Sequence, residues 1–128
     1  MSTSEYATVL AWQDALNDGD SDTLVELSSD GIEISSAEGG SQGLVALLDW
    51  AAESNTTVSL EHAYVSGAVV VTSGEAAGSL AGGPDTDRRP LAIAFRVDND
   101  QVVSVFIHPD VETALTATGL GSGDLVRD

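Results

Sequence analysis

A carboxylate and a hydroxyl near the first predicted strand are the plainest candidates for chemistry in this sequence. Glu33 and Ser35 lie two positions apart, so an extended strand places both side chains on one face. Burial raises the pKa of a carboxyl group, and a glutamate here, desolvated by Trp12, could then act as a general base. A glutamate on a short strand can equally be a solvated surface residue, and both interpretations stay open.

The remaining polar candidates are two histidines and a tyrosine. His62 and Tyr64 share one face of a predicted strand, where they could bind a polar group of a ligand or lie on the sheet surface or an interface. The chain has no cysteine, and its histidines are not at metal-ligand spacing. We therefore expect no metal site and no cofactor.

The length and net charge of the chain limit its expected number of domains and its expected partners. The 128 residues are expected to form one domain, 1–128, with a short polar tail over 119–128. Asp and Glu total 21 against 4 basic residues, and a net charge of -17 repels phosphate backbones and anionic lipids, so neither nucleic acid nor membrane is an expected partner. The absence of lysine suggests adaptation to high salt. No basic leader or membrane-length apolar run is visible, which favours the cytoplasm.

The secondary-structure elements that position these residues are predicted as mainly helices in the first part of the chain and strands in the later part. Apolar spacing predicts a first helix that ends at Asp18 and a second short helix that Ser21-Asp22 can cap. A short strand Ile32–Ser35 and a loop over 39–41 follow, and then a third helix with Leu44, Leu47 and Leu48 on one stripe. Later segments predict a strand pair turned at Ser66-Gly67 and a loop over 76–87. They also predict a hairpin over 91–108, turned at Asp98-Asn99-Asp100 and followed by a helix from Val111. This order is typical of an α+β fold with helices on one face of an antiparallel sheet.

The last predicted strand is apolar on both faces. Alternation divides its side chains into two sets, Val103, Val105 and Ile107 on one face and Val102, Phe106 and His108 on the other. Helices can cover one face, whereas the second would expose a large apolar patch. We therefore expect a homodimer through the outer sheet face, with His108 on that face. The alternative is that the chain's own loop covers these residues.

Three segments resemble the nuclear transport factor 2-like superfamily: Trp12 to Asp20, the helix start Gly40 to Leu44, and the hairpin from Phe95 to Val105. Within it they are most similar to ketosteroid-isomerase-like and polyketide-cyclase-like (SnoaL-like) proteins. The resemblance implies a cone-shaped curved antiparallel sheet wrapped around the N-terminal helices, a pocket inside it, and usually a dimer. The fold hosts both enzymes and non-catalytic binders, so it does not by itself assign a function.

The ketosteroid isomerase groups do not carry over to this chain. That family uses a tyrosine hydroxyl, a protonated aspartic acid and a carboxylate base. The corresponding positions here hold Trp12, Ile93 and Ser35. An indole N–H can still donate a hydrogen bond, but neither Ser35 nor Ile93 can do the work of a carboxylate. The resemblance therefore argues against the steroid-isomerase reaction.

The same alignment implies which side chains line the pocket. The implied set is mostly apolar: Trp12, Ser35, Leu48, Leu91, Ile93, Phe95, Val103, Val105 and Ile107. Such a wall suits a small apolar molecule, unless these side chains touch one another and leave no cavity. Two functions remain open: a small-molecule binder, or a small cyclase, isomerase or hydratase that uses Glu33 as acid/base with Trp12 as donor. A purely structural dimeric module is a third.

Overall fold

The computed structural model describes the backbone of residues 3–36, 39–54, 57–58, 61–77, 88–108 and 110–127. Most of the predicted loop 76–87 lies outside these residues. The helices are α1 Thr3–Asp18, α2 Ser21–Glu26, α3 Leu44–Ser54 and α4 Val111–Thr118. The strands are β1 Ser28–Ser36, β2 Gly39–Gln42, β3 Thr57–Val58, β4 His62–Ser66, β5 Val69–Ala77, β6 Arg88–Asp98, β7 Gln101–His108 and β8 Leu125–Arg127.

Local capping explains where the helices begin and end. α1 stops at Gly19, whose φ of +70° lies in the left-handed region that glycine adopts without a Cβ clash. Asp20 then caps α2 by accepting a hydrogen bond from the Thr23 N–H at 3.2 Å, one residue before the predicted cap at Ser21-Asp22. α4 begins at Val111 as predicted, because Asp110 accepts from the Thr113 N–H at 2.8 Å.

The fold is α+β, as predicted, and the sheet is mixed rather than wholly antiparallel. Its strand order is β2-β1-β7-β6-β5-β4-β8, with β3 paired to β5 off this path. Only the β1–β7 pair is parallel among the described strands. The N-terminal helix α1 packs across β3, β5, β6 and β7, so the sheet encloses it on its inner face.

A β-bulge in β7 changes which of its side chains face inwards. Arg96 pairs with Ser104 while the next residue, Val97, pairs with Val102, which leaves Val103 as the extra residue. Val102 therefore joins Val105 in the inner core, and Val103 moves to the outer side. The predictions for Val102 and Val103 were wrong, because strict alternation does not hold across a bulge.

The outer face of the sheet is partly covered by α4. Val71, Ala92 and Ala94 pack against Ala114 of α4 in a second apolar cluster. The premise that this whole face needs a partner subunit is therefore wrong: the C-terminal helix of the same chain covers the part over β5 and β6.

Two segments predicted as irregular contribute strands. Residues 39–41, predicted as a loop, belong to β2, which pairs with β1. Within 119–128, the expected polar tail, Leu125–Arg127 forms β8 and pairs with β4 at the edge of the sheet. Both segments satisfy backbone hydrogen bonds of neighbouring strands, which their polar composition alone does not reveal.

Candidate ligand-binding site

The inner face of the sheet carries two cross-strand rows of side chains beneath α1. One row is Ala63, Thr72, Ile93 and Ile107, and the next is Val65, Val70, Phe95 and Val105. The structure brings six of the predicted wall residues into one buried cluster: Trp12, Leu91, Ile93, Phe95, Val105 and Ile107. The inward orientation predicted for β6 is therefore confirmed.

Trp12 is completely buried at the centre of this cluster. Its ring meets the ring of Phe95 edge to face, with centroids 5.3 Å apart and an interplanar angle of 72°. Its indole N–H donates to Ser28 Oγ at 2.9 Å, and the Ser28 hydroxyl donates to the Leu24 carbonyl at 2.7 Å. The indole N–H thus ties α1 to the start of β1 rather than pointing at a ligand.

Glu33 and Ser35 share a face, as predicted, but it is the outer one. Ile32 and Ile34 are buried in the inner cluster, so the residues that alternate with them point away from it. Glu33 is exposed, and Ser35 lies half-buried beside Gly40 of β2. The expected desolvation of Glu33 by Trp12 is therefore wrong, because burying two isoleucines, each worth about 1.5–3 kcal/mol, decides the orientation of β1.

Two further wall predictions need correction. On α3, Leu47 is fully buried in the inner cluster, whereas the predicted residue Leu48 is only half-buried. Val103 lies outside the wall because of the bulge, in an outer groove with Glu33 and Arg96. Leu47 and Val102 take the inward places that had been predicted for Leu48 and Val103.

A polar pair, Gln13 and Thr72, interrupts the apolar inner wall. Gln13 is 4% exposed, and its Nε2 donates to Thr72 Oγ1 at 3.2 Å. The Gln13 Oε1 is buried and has no hydrogen-bond partner in the part of the chain that the structure describes. Neither residue was predicted. Gln13 follows Val9 by four positions and precedes Leu16 by three, so a polar side chain within this apolar helical stripe was the available signal.

The buried histidine lies away from this wall. His108 is the one buried ionisable side chain among the described residues, and it lies on the outer face against Phe106, with ring centroids 4.5 Å apart. Burial lowers the pKa of His108, while the nearby Asp110 carboxylate partly opposes this shift. Tyr64 packs against the outer cluster, and His62 shares its strand face. Within the described residues, no group of three or more His, Asp or Glu side chains could hold a metal.

Helices over a sheet that curves round an inner apolar wall define the nuclear transport factor 2-like fold, and solved structures share it. A nuclear transport factor 2-like protein of unknown function from Cytophaga hutchinsonii has a TM-score of 0.73 and 10% identity over 87% of this chain and 94% of that one. A SnoaL-like polyketide cyclase from Jannaschia sp. CCS1 has a TM-score of 0.70 and 21% identity, over 90% and 91% of the two chains.

A third similar structure holds a small molecule. This protein from Catenulispora acidiphila, which has a ketosteroid isomerase-like fold, was solved in complex with trimethylamine. It has a TM-score of 0.68 and 22% identity over 91% of this chain and 95% of that one. No protein-family model matches the chain. No curated protein matches it either. At these identities the likeness shows the fold, not the chemistry.

Among the described helices, none combines the length and apolar character that crossing a membrane requires.

Proposed function

We propose that the chain binds a small, uncharged and mainly apolar molecule between α1 and the inner face of the sheet. The composition of the inner wall carries this proposal. The described side chains of this cluster, which includes Trp12 and Ile107, are apolar. The Gln13–Thr72 pair adds one polar point. Ligand sites of this kind combine an apolar lining with a few polar groups that orient the ligand.

Catalysis by Glu33 has less support than binding. Its carboxylate is exposed on the outer face, and Ile32 and Ile34 separate it from the inner wall. The Trp12 N–H, the expected donor of that mechanism, already has Ser28 as its acceptor. The inner wall as described holds no carboxylate that could move a proton. A similar structure that was solved with trimethylamine is consistent with a fold that admits small molecules.

Isoleucine methyl signals provide a direct test of binding. The chain has four isoleucines, and all four lie in the inner cluster: Ile32, Ile34, Ile93 and Ile107. We expect p-xylene, a small uncharged probe, to move the Ile93 and Ile107 δ1-methyl signals most in a ¹³C-methyl titration. These two residues form the cross-strand pair nearest the polar point.

A variant that fills the proposed site serves as the matched comparison. Ala63→Val adds two methyl groups beside Thr72 on the inner face, and we expect it to weaken p-xylene binding. Val45→Ala, at a position 75% exposed on α3, should leave binding unchanged. The proposal fails if p-xylene and other small apolar probes leave all four methyl signals in place up to their solubility limits.

We also propose that two copies associate through the part of the outer face that α4 leaves open. Phe106 is 37% exposed there. Arg96, Glu33 and Asp98 surround the adjacent groove of about 590 Å³. A two-fold contact presents the same patch from both copies, so Arg96 of each could meet an acidic side chain of the other. Arg96 is one of only four basic residues, which makes such a pairing selective on this acidic surface.

Sedimentation equilibrium at micromolar concentration tests the association. We expect a dimer for the wild type and a monomer for Phe106→Glu, because the substitution places a charge in the proposed contact. Val45→Glu introduces the same charge at an exposed apolar residue of α3 that does not line the outer grooves, and this variant should stay dimeric. A monomeric wild type at these concentrations, in both low and molar salt, would defeat the dimer.

A further inference from the structure

We infer that the Gln13 side-chain amide is the polar anchor of the ligand, which therefore carries a hydrogen-bond donor, a neutral hydroxyl or N–H, on an apolar frame. This inference rests on the proposed function and narrows the class of ligand. It begins with an atom that has no hydrogen-bond partner among the described residues, the Gln13 Oε1.

An unsatisfied amide oxygen in a protein interior is unusual. Most buried polar atoms have a hydrogen-bond partner, and one that lacks a partner costs about 1–3 kcal/mol. Gln13 is 96% buried, since its exposed fraction is 4%. Thr72 holds the other end of the amide through Nε2, so the group is oriented and not merely packed. The remaining oxygen is thus set to accept a hydrogen bond from a molecule inside the fold.

Two of the inner-face residues next to this amide have little or no side chain. Thr72 has four neighbours on the inner face: Val70 and Gly74 along β5, Ala63 on β4 and Ile93 on β6. Gly74 has no side chain and Ala63 has a single methyl group, so two of the four positions around Thr72 contribute little side-chain volume of their own. Ile93, Leu91 and Phe95 lie on the other side of Thr72. A ligand could place its polar end beside Gln13 and its apolar body against β6.

The charge of the ligand follows from the same wall. The described inner residues include no carboxylate to pair with a buried ammonium and no basic group to pair with a buried anion. Burying an unpaired charge costs far more than one neutral hydrogen bond returns. A neutral donor, such as an alcohol, a phenol or an amide N–H, is therefore the class that this site accommodates.

Three probes of similar shape separate the possibilities. p-Cresol offers a hydroxyl donor, 4-methylanisole offers only an acceptor, and p-xylene offers neither. Gln13→Met keeps the length of the side chain and removes the amide. We expect this substitution to weaken p-cresol binding about five- to ten-fold, near the worth of one neutral hydrogen bond, and to leave p-xylene binding unchanged or tighter. Gln42→Met, which removes an exposed amide from β2, is the matched control and should change the binding of neither p-cresol nor p-xylene.

A measurement on the wild type makes the test independent of any variant. The side-chain amide signals of Gln13 should move with p-cresol and much less with p-xylene, while both probes move the Ile93 methyl signal. If both probes bind but Gln13→Met weakens them equally, the anchor is wrong and the proposed function stands. If the binding of 4-methylanisole depends on Gln13 and the binding of p-cresol does not, the amide presents its N–H to the ligand. The inference that the ligand is the hydrogen-bond donor is then overturned. If no probe binds, the proposed function itself fails.

Discussion

Ser28 joins three elements through one hydroxyl, and its removal should be costly. The hydroxyl accepts from the Trp12 indole and donates to the Leu24 carbonyl, so Ser28→Ala removes two hydrogen bonds at a site 2% exposed. A neutral hydrogen bond is worth about 1 kcal/mol net, and a buried donor that loses its acceptor costs about 1–3 kcal/mol. We expect the free energy of unfolding to fall by about 2–3 kcal/mol.

Urea denaturation and indole NMR together measure this loss. With a urea m-value of about 1.5 kcal/mol/M, the midpoint should fall by about 1–2 M. Ser29→Ala changes the adjacent, half-buried serine, which makes neither bond, and should shift stability by less than about 0.5 kcal/mol. The Trp12 Nε1–H signal should move in Ser28→Ala alone. Equal midpoints for the two variants, or an unchanged indole signal, would refute the role given to Ser28.

Three further perturbations have defined outcomes. Burial lowers the pKa of His108 in the folded state, so the unfolded chain binds more protons and the free energy of unfolding should fall as the pH drops below about 6.5. In urea titrations between about pH 5 and 7, His108→Gln should flatten this fall. An unchanged slope would contradict the link between His108 and the pH dependence. Asn99 and Asp100 turn the β6–β7 hairpin with φ of 52° and 61°, so Asp100→Gly should raise the free energy of unfolding by about 0.5–1 kcal/mol; the charge-matched control Asp98→Asn should not reproduce this gain. Screening of the -17 charge should raise the melting temperature between about 0.1 M and 2 M NaCl, and a flat curve would reject adaptation to high salt.

Local sequence determined the elements of this fold because their signals lie within a few residues. The alternation of Leu91, Ile93 and Phe95 placed all three on the inner face, and the Asp98-Asn99-Asp100 turn closed the final hairpin as predicted. Gly19 and Asp110 marked a helix end and a helix start. Capping, turn conformation and alternation each act over one or two turns of chain, so the sequence carries them without knowledge of the partner strand.

Tertiary structure decided the faces and the site, because these depend on partners far along the chain. Pairing with β6 creates the bulge that moves Val103 outwards, and burial of Ile32 and Ile34 turns Glu33 away from Trp12. The Gln13–Thr72 bond joins residues 59 positions apart, and no local pattern relates them. Whether a polar side chain in an apolar stripe is satisfied depends on the strand it meets, and that strand is chosen by the packing of the whole sheet around α1.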